Sequence, residues 1–332
     1  MVANKKILVV GGAGYIGSHM VRQLNGAGCD AVVLDNLSTG CRQLVQGAEL
    51  VEGNLGDAAL LDQLFSAHAF DAVMHFAAFS QVGESMQHPL KYYGNNLAAT
   101  VVLLDAMRRH DINCFIFSST AAVYGEPAEI PITEAHTCLP TNPYGNSKLA
   151  VERLLADCAA AHGLRYMALR YFNAAGADES GEIGELHDPE THLIPIVLKA
   201  AAGRIDHIQL YGSDYPTSDG TCIRDYVHVN DLAQAHLLAL EALLGGGASA
   251  VYDLGNSRGY SVREVIAMVE AITGKTIAVK KAPRRPGDPA VLVAGAEKIK
   301  RELGWRPVYE NLESIVRSAW NWHRRHNSGM GR

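Results

Sequence analysis

Tyr144 and Lys148 stand four residues apart in Tyr144-Gly-Asn-Ser-Lys148, a spacing that stacks two side chains one turn apart on one face of a helix. A phenol titrates near ~10 and is a poor base at neutral pH. An adjacent ammonium favours the phenolate. Bringing the phenol to pH 7 takes a shift of about 3 units, roughly 4 kcal/mol of differential stabilisation, which is more than one lysine supplies. The pair reads as a proton-abstracting device only if a second positive charge sits beside it. The same spacing occurs in ordinary solvated helices, so the rest of the chain must decide.

The N-terminus provides for such a charge. Lys5-Lys6-Ile7-Leu8-Val9-Val10 runs directly into Gly11-Gly12-Ala13-Gly14-Tyr15-Ile16-Gly17, amphipathic sequence continues to Leu24, and Gly26-Ala27-Gly28 stops it. This is strand, glycine turn and helix. Side chains at those glycines would keep a pyrophosphate from the backbone and the helix N-terminus. The next apolar run, Ala31–Leu34, ends on Asp35, about 20 residues beyond the glycines, where a carboxylate accepts from a ribose 2′-hydroxyl and repels a 2′-phosphate. The expected cofactor is NAD rather than NADP, and its cationic ring is the missing charge.

Bulk properties narrow the class. The chain has 332 residues, 48% hydrophobic and 19% charged, with a net charge of −6. That suits a packed core in one large or two modest domains and leaves no basic footprint for nucleic acid. Cys29, Cys41, Cys114, Cys138, Cys158 and Cys222 form no C-x-x-C pair, so reduced thiols in a cytoplasmic protein are expected. The N-terminal apolar run has only four members, against roughly 7–15 in a secretory signal, and no stretch approaches the ~18 apolar residues of a membrane span. His323-Arg-Arg-His326 is the only tightly spaced histidine pair. It has no acidic or cysteine companion, so no metal is expected.

Strand-like and helical runs alternate, which calls for a parallel sheet covered on both faces. Strands are expected near Glu49–Glu52, Asp71–His75, Cys114–Phe117 and Arg165–Arg170. Helices are expected after an Asp57 cap, from about Tyr92 to His110, from Tyr144 to about His162 and from Asp231 to Leu244. The carboxyl ends of the strands, where ligands bind in such sheets, present Gly11, Asp35, Phe76, Thr120 and Phe172. Beyond Asn173 prolines punctuate shorter elements, as in a smaller lobe. The fold class is therefore α/β: a Rossmann-type doubly wound parallel sheet over 1–172 and a smaller α/β substrate-binding lobe over 173–332, with about 225–244 packing back on the first domain.

With these features in hand, the chain resembles the extended short-chain dehydrogenase/reductase family, and within it the nucleotide-sugar 4-epimerases. The resemblance spans nearly the whole length. It rests on the glycine turn, Leu34-Asp35-Asn36-Leu37, His75-Phe76-Ala77-Ala78, Tyr92-Tyr93-Gly94-Asn95-Asn96, Phe115–Gly125 and Arg170-Tyr171-Phe172-Asn173. More specific are Tyr215–Thr221, Arg224-Asp225-Tyr226-Val227-His228-Val229, Ala282–Asp288 and Leu303-Gly304-Trp305. It implies reversible C4 epimerisation of UDP-glucose and UDP-galactose through a 4-keto sugar, with tightly bound NAD and a homodimer paired through the Tyr92–His110 and Tyr144–His162 helices. Leu149, Val151, Leu154 and Leu155 are the apolar positions that single out the second of these.

By the same resemblance Tyr144 is the base at the sugar 4-hydroxyl, Thr120 hydrogen-bonds that oxygen, and Lys148 holds the nicotinamide ribose and tunes Tyr144. The cofactor set it implies is Gly11, Gly14, Tyr15, Ile16, Gly17, Asp35, Asn36, Leu37, Ser38, Thr39, Gly40, Asn54, Leu55, Phe76, Ala77, Ala78, Ser80, Asn95, Tyr144, Lys148 and Phe172. The substrate set adds Asn173, Leu193, Gln209, Leu210, Tyr211, Arg224, Arg285, Asp288 and Leu292, with both arginines on the pyrophosphate. Three positions depart from patterns common in the family: Ser80 for lysine, Asn54 for aspartate, and Leu292 for tyrosine, cysteine or serine. Ala121-Ala122 stands where nucleotide-sugar 4,6-dehydratases carry an acidic pair, so elimination lacks its proton donor. A UDP-pentose or UDP-N-acetylhexosamine substrate is compatible with the same trio. An NAD-sensing regulator would have lost Thr120, Tyr144 or Lys148, and all three are present.

Overall fold

The computed structural model of the protein describes residues 2–285 and 288–329. Pro286 and Gly287, from the arginine-proline stretch singled out above, lie outside the described residues. Strand β1 (Lys6–Val10) leads into α1 (Tyr15–Gly26), followed by β2 (Asp30–Asp35), β3 (Glu49–Glu52), α2 (Ala58–Ala67) and β4 (Ala72–His75). Three helical pieces come next: α3 (Val82–Gln87), α4 (Pro89–Tyr92) and, after a π-helical turn over Tyr93–Ala98, α5 (Ala99–Arg109). Then come β5 (Cys114–Ser118), α6 (Pro143–His162) and β6 (Arg165–Tyr171). The remainder comprises β7 (Asn173–Ala175), α7 (Leu193–Ala201), β8 (Ile208–Tyr211), β9 (Ile223–His228), α8 (Val229–Leu244), β10 (Ala250–Leu254), β11 (Gly259–Ser261) and α9 (Val262–Thr273). It ends with β12 (Val279–Ala282), β13 (Val291–Leu292), α10 (Glu297–Leu303) and α11 (Leu312–Gly329).

The main sheet has seven strands in the order β10-β6-β5-β4-β1-β2-β3, every neighbouring pair parallel. Sequence order reverses on the two sides of β1, so a crevice opens past the ends of β1 and β4. The central strands β1, β4 and β5 are buried on both faces and therefore read as largely apolar runs. Ile7, Val9 and Val33 point to one side, into a core shared with Met20 and Leu24 of α1 and Leu232 and Leu240 of α8. Leu8, Val10, Val32 and Leu34 point to the other, against Leu64 of α2, Leu103 of α5 and Leu155 of α6. Fully burying each such side chain stabilises the fold by about 1.5–3 kcal/mol.

The expected elements form, with two differences. The seventh strand, β10, comes from beyond the first 172 residues; it pairs with β6, Tyr252 opposite Leu169. Its Ala-Val-Tyr-Asp-Leu run gives no sequence signal of which sheet it joins. The helix expected from Tyr92 to His110 carries the π turn, where an extra residue per turn changes which side chains face inward. That turn buries Asn96.

A second layer is built on β9. It pairs with β7 and β13 in parallel and with β11 antiparallel, while β8 and β12 form a separate parallel pair. The β7 pairing begins at Asn173, one residue after Phe172, and so joins the end of the main sheet directly to the smaller lobe.

Candidate active site

The turn after β1 is dictated by close approach. Gly11 has φ of +81°, and a Cβ there would lie 2.4 Å from the Ala77 nitrogen on the turn after β4. A Cβ on Gly17 would lie 2.1 Å from the Gly11 carbonyl oxygen, so only glycine lets α1 start this close to the turn. Gly14 differs: the nearest atom to its Cβ position is 3.4 Å away, the Gly11 oxygen. It is the N-cap of α1, supplies no side-chain cap, and the first turn of α1 carries no acidic residue. The N-terminus of the helix therefore presents unspent backbone donors, the arrangement that receives a phosphate. Beside it, the buried Asp35 carboxylate accepts from the Ala13 and Leu37 nitrogens, both at 2.9 Å. Burial raises its pKa against the pull of those two bonds. Gly40 packs on Asp35 and Ala13 with no room for a side chain. These residues form a cradle that a Cβ would fill and whose carboxylate still has acceptor capacity, so they fit a dinucleotide.

The other implied cofactor residues surround this turn unequally. Phe76 and Ala77 both donate their backbone N–H to the Val10 carbonyl, at 2.8 and 3.1 Å, and the Phe76 ring leans on His236. Tyr15 and Leu55 are buried, whereas Ile16 and Ala78 are partly so. Asn36, Ser38, Thr39, Asn54 and Ser80 are exposed. The Asn54 side chain is spent on a local turn, accepting from the Gly56 nitrogen at 2.8 Å.

Helix α6 starts on an Asn142 cap that accepts from the Gly145 nitrogen at 2.9 Å, with Pro143 in its first turn, and stops at Gly163 with φ of +70°. Tyr144, Lys148 and Glu152 fall on one face. The Thr120 hydroxyl bonds the Tyr144 phenol and favours its ionised form, but burial outweighs it and raises the phenol pKa. Lys148, only 3% exposed, donates to the Ser118 carbonyl at 2.8 Å and lies 4.7 Å from the centre of the Phe117 ring. Burial drives its ammonium down to about 7, with Glu152 pulling the other way. Burial and the Thr120 bond set the direction of the phenol shift, and the Lys148 ammonium is engaged with the Ser118 carbonyl.

A buried network lies behind the trio. Ser119 donates to Glu152 at 2.5 Å, Arg170 forks onto Glu152 through Nε at 3.0 Å and Nη2 at 2.5 Å, and its Nη1 donates to the Tyr124 hydroxyl at 2.8 Å. Tyr124 in turn donates to Asp253 of β10 at 2.8 Å. Sequence reasoning missed Glu152; its place four residues past Lys148 is the signal that could have found it. Asn96 was missed as well. It takes the Phe79 nitrogen at 3.0 Å and donates to the Phe79 carbonyl at 2.9 Å and to the Ser147 hydroxyl at 3.1 Å, so it fixes the loop after β4 to α6. Asn95 beside it bonds only the Asn96 side chain, at 3.0 Å, among the described residues.

The implied substrate residues gather on the second layer. Asn173 donates to the Asp225 carbonyl at 2.8 Å. Arg224, one strand position away, is ion-paired with Asp288 and donates to the Ile223 carbonyl at 2.8 Å. Leu292 pairs across from Arg224 and packs against the cluster of Val123, Tyr124, Ile132 and Leu149, as Phe172 does. The Tyr211 hydroxyl donates to Gln209 at 2.5 Å, and the exposed Arg285 guanidinium lies 4.1 Å over the Tyr211 ring. Leu210 is 1% exposed and is paired with Lys281 of β12, so the structure leaves it no free surface toward a ligand. Leu193 is the first residue of α7. A separate cleft of about 620 Å³, lined by Ala201, Arg204, Lys275 and Trp320 among others, contains none of these residues.

Residues 7–255 match the model of the NAD dependent epimerase/dehydratase family. The chain belongs to that family. It is 52% identical over 323 residues to UDP-glucose 4-epimerase of Halalkalibacterium halodurans, covering 97% of each chain. Among solved structures it is similar to UDP-glucose 4-epimerase of Brucella ovis in complex with NAD, at 50% identity and a TM-score of 0.93, covering 95% of this chain and 97% of that one. It is also similar to the UDP-Glc/GlcNAc 4-epimerase of Campylobacter jejuni, at 43% identity and a TM-score of 0.85, covering 97% of this chain and all of that one. Family membership makes NAD the cofactor.

Proposed function

We propose that the chain interconverts UDP-glucose and UDP-galactose by inverting C4. The observation that carries this reading is the convergence of Tyr144, Thr120 and Lys148 beside a glycine cradle that fits NAD, within a family that includes close full-length relatives with that activity. Bound NAD supplies a hydride acceptor and donor, and the reaction leaves no net redox change. Tyr144 takes the 4-hydroxyl proton and returns it to the inverted oxygen. Thr120, which already bonds the phenol, holds that oxygen in line, and the 4-keto sugar turns over between the two proton transfers. A raised phenol pKa keeps Tyr144 protonated until a positive charge is brought to it, which confines base strength to the loaded site. Lys148 has two N–H groups beyond its bond to Ser118 with which to hold a ribose.

In this reading residues 1–172 form the NAD domain and 173–332 the UDP-sugar lobe, with α8 and β10 returned to the first. Asn173, Leu193, Gln209 and Tyr211 hold the uridine end, and Arg224 and Arg285 the pyrophosphate. Ala121 and Ala122 leave elimination without a donor. Leu292, partly buried against the cluster of Val123, Tyr124 and Leu149, favours the hexoses over their N-acetylated forms, because it closes space and offers an amide no partner.

A homodimer belongs to the same proposal, with a revised face. Leu149, Val151 and Leu155 pack inside their own chain, and Leu154 is partly buried there. Half of the exposed large apolar residues, Val82, Met86, Leu90, Tyr93 and Val101, lie between the start of α3 and α5, with Leu90 85% exposed. Exposed apolar residues concentrated in one stretch of helices suit an isologous contact. No described helix is long and apolar enough to cross a membrane. A cytoplasmic setting is part of the proposal, and the six unpaired cysteines support it. Incubation with UDP-glucose, UDP-galactose, their N-acetylated forms and UDP-xylose, with separation of the products, tests the reading. Conversion of the first pair supports it; turnover of UDP-xylose alone overturns it.

A further inference from the structure

One cluster outside the active site is built from metal-ligating groups. Glu185, His187, Glu190 and His192 fall within one short run between β7 and α7, and a ligand atom from each lies within 4.8 Å of all the others. The Nδ1 atoms of His187 and His192 sit 2.9 and 2.5 Å from the same Glu185 oxygen, and His192 Nδ1 sits 3.5 Å from Glu190. Tetrahedral zinc with bonds of about 2.0–2.2 Å needs ligand atoms roughly 3.3–3.6 Å apart, so these atoms need only small movements to close on one ion.

Charge points the same way. The two glutamate side chains are 6% and 4% exposed, and two nearly buried carboxylates balance one dication. Glu190 is oriented in advance: one of its oxygens accepts the Thr191 and His192 nitrogens, both at 2.8 Å, the kind of outer support that ligands in metal sites have.

We propose that these four residues bind one divalent transition-metal ion, zinc in the first instance, which fixes the loop between β7 and α7. Two imidazoles and two carboxylates suit such a metal better than calcium or magnesium. The role is structural. The loop begins at Gly176, whose carbonyl accepts the Tyr15 hydroxyl at 2.6 Å, and the Tyr15 ring meets His187 edge-on at 6.3 Å. It ends at His192, the N-cap residue of α7, next to Leu193. An ion here braces the first turn of the cofactor helix and the start of α7 from one point. The proposal departs from the sequence expectation of no metal, which rests on the spacing of His323-Arg-Arg-His326; this run combines carboxylates and imidazoles instead.

The test uses the NAD-loaded protein, stripped with a chelator and re-equilibrated with zinc sulfate. Elemental analysis gives one zinc per chain, and Tm rises by about 5 °C at a hundredfold excess of free zinc over Kd. Glu185→Gln and His187→Gln bind zinc at least a hundredfold more weakly, whereas His323→Gln binds it normally. Affinity falls as pH is lowered, because the ion displaces a proton. Should a loop variant fail to fold, the cobalt form of the unmodified protein decides: a tetrahedral visible spectrum without thiolate charge-transfer bands supports the site. Substoichiometric zinc, undiminished binding in both loop variants, or thiolate bands would each overturn it, leaving the cluster as an ion-pair network.

Discussion

Gly14 and Gly17 separate what the glycine turn does for the fold from what it does for the cofactor. Replacing Gly17 by alanine puts a Cβ 2.1 Å from the Gly11 oxygen and 2.8 Å from the Gly12 Cα. Both are backbone atoms, so restoring an ordinary contact near ~3.4 Å moves α1 off the turn by about 1.3 Å, an overpacking that costs roughly 1–3 kcal/mol. Gly14→Ala meets nothing closer than 3.4 Å, its φ of −78° is ordinary for alanine, and it puts a methyl on the N-cap of α1, where the pyrophosphate is expected. Thermal unfolding of NAD-free protein and the NAD content of purified protein measure the two effects separately. Gly17→Ala loses both stability and NAD. Gly14→Ala unfolds within about 0.5 kcal/mol of the parent yet binds NAD about 10–150-fold more weakly, the equivalent of roughly 1–3 kcal/mol. Full NAD occupancy in Gly14→Ala would refute the placement of the pyrophosphate, and equal destabilisation by both variants would refute the steric reasoning.

Tyr144→Phe retains fold and NAD but loses about 10²–10⁴-fold in kcat, read as the rate of UDP-galactose conversion at fixed NAD content. Lys148→Met abolishes turnover while stabilising the NAD-free protein at pH 7 by roughly 1–2 kcal/mol, since it removes a buried charge. The folded lysine titrates near 7 against 10.5 when unperturbed, so the unfolded state binds more protons between those values and stability rises with pH across that window. That slope disappears in Lys148→Met, as chemical denaturation at two pH values inside the window will show. Leu292→Ser raises kcat/KM for UDP-N-acetylgalactosamine relative to UDP-galactose by about one decade, and an unchanged ratio would reject the gate. Leu90→Asp gives a monomer by sedimentation at micromolar concentration, where the unchanged chain sediments as a dimer.

Local chemistry made much of this legible. The glycine turn, Asp35 and the Asp57-capped helix are set by close approach, hydrogen bonding and capping, all of which leave their marks in short stretches of sequence. What sequence concealed is long-range. β10 joins the main sheet by pairing Tyr252 with Leu169, far back in the chain, and nothing in its own residues announces that partner. Electrostatics was hidden for the same reason. The Tyr144–Lys148 spacing was visible, but the burial that raises the phenol and lowers the ammonium comes from elements far away in sequence. The Glu152–Arg170 fork behind them likewise joins a helix to the strand that follows it. The apolar residues of α6 read as a surface for a second chain and prove to be core, because apolar periodicity gives a buried face without saying what buries it.

The central claim is that hydrogen leaves C4 and returns to the same carbon within one bound state while Tyr144 handles the proton. UDP-galactose carrying deuterium at C4, incubated with the NAD-loaded protein in ordinary water, tests it most directly. The account predicts UDP-glucose that keeps its deuterium at C4, with NAD still bound to the protein. Product with solvent hydrogen at C4, or turnover that requires NAD to be released and replaced in each cycle, would contradict it.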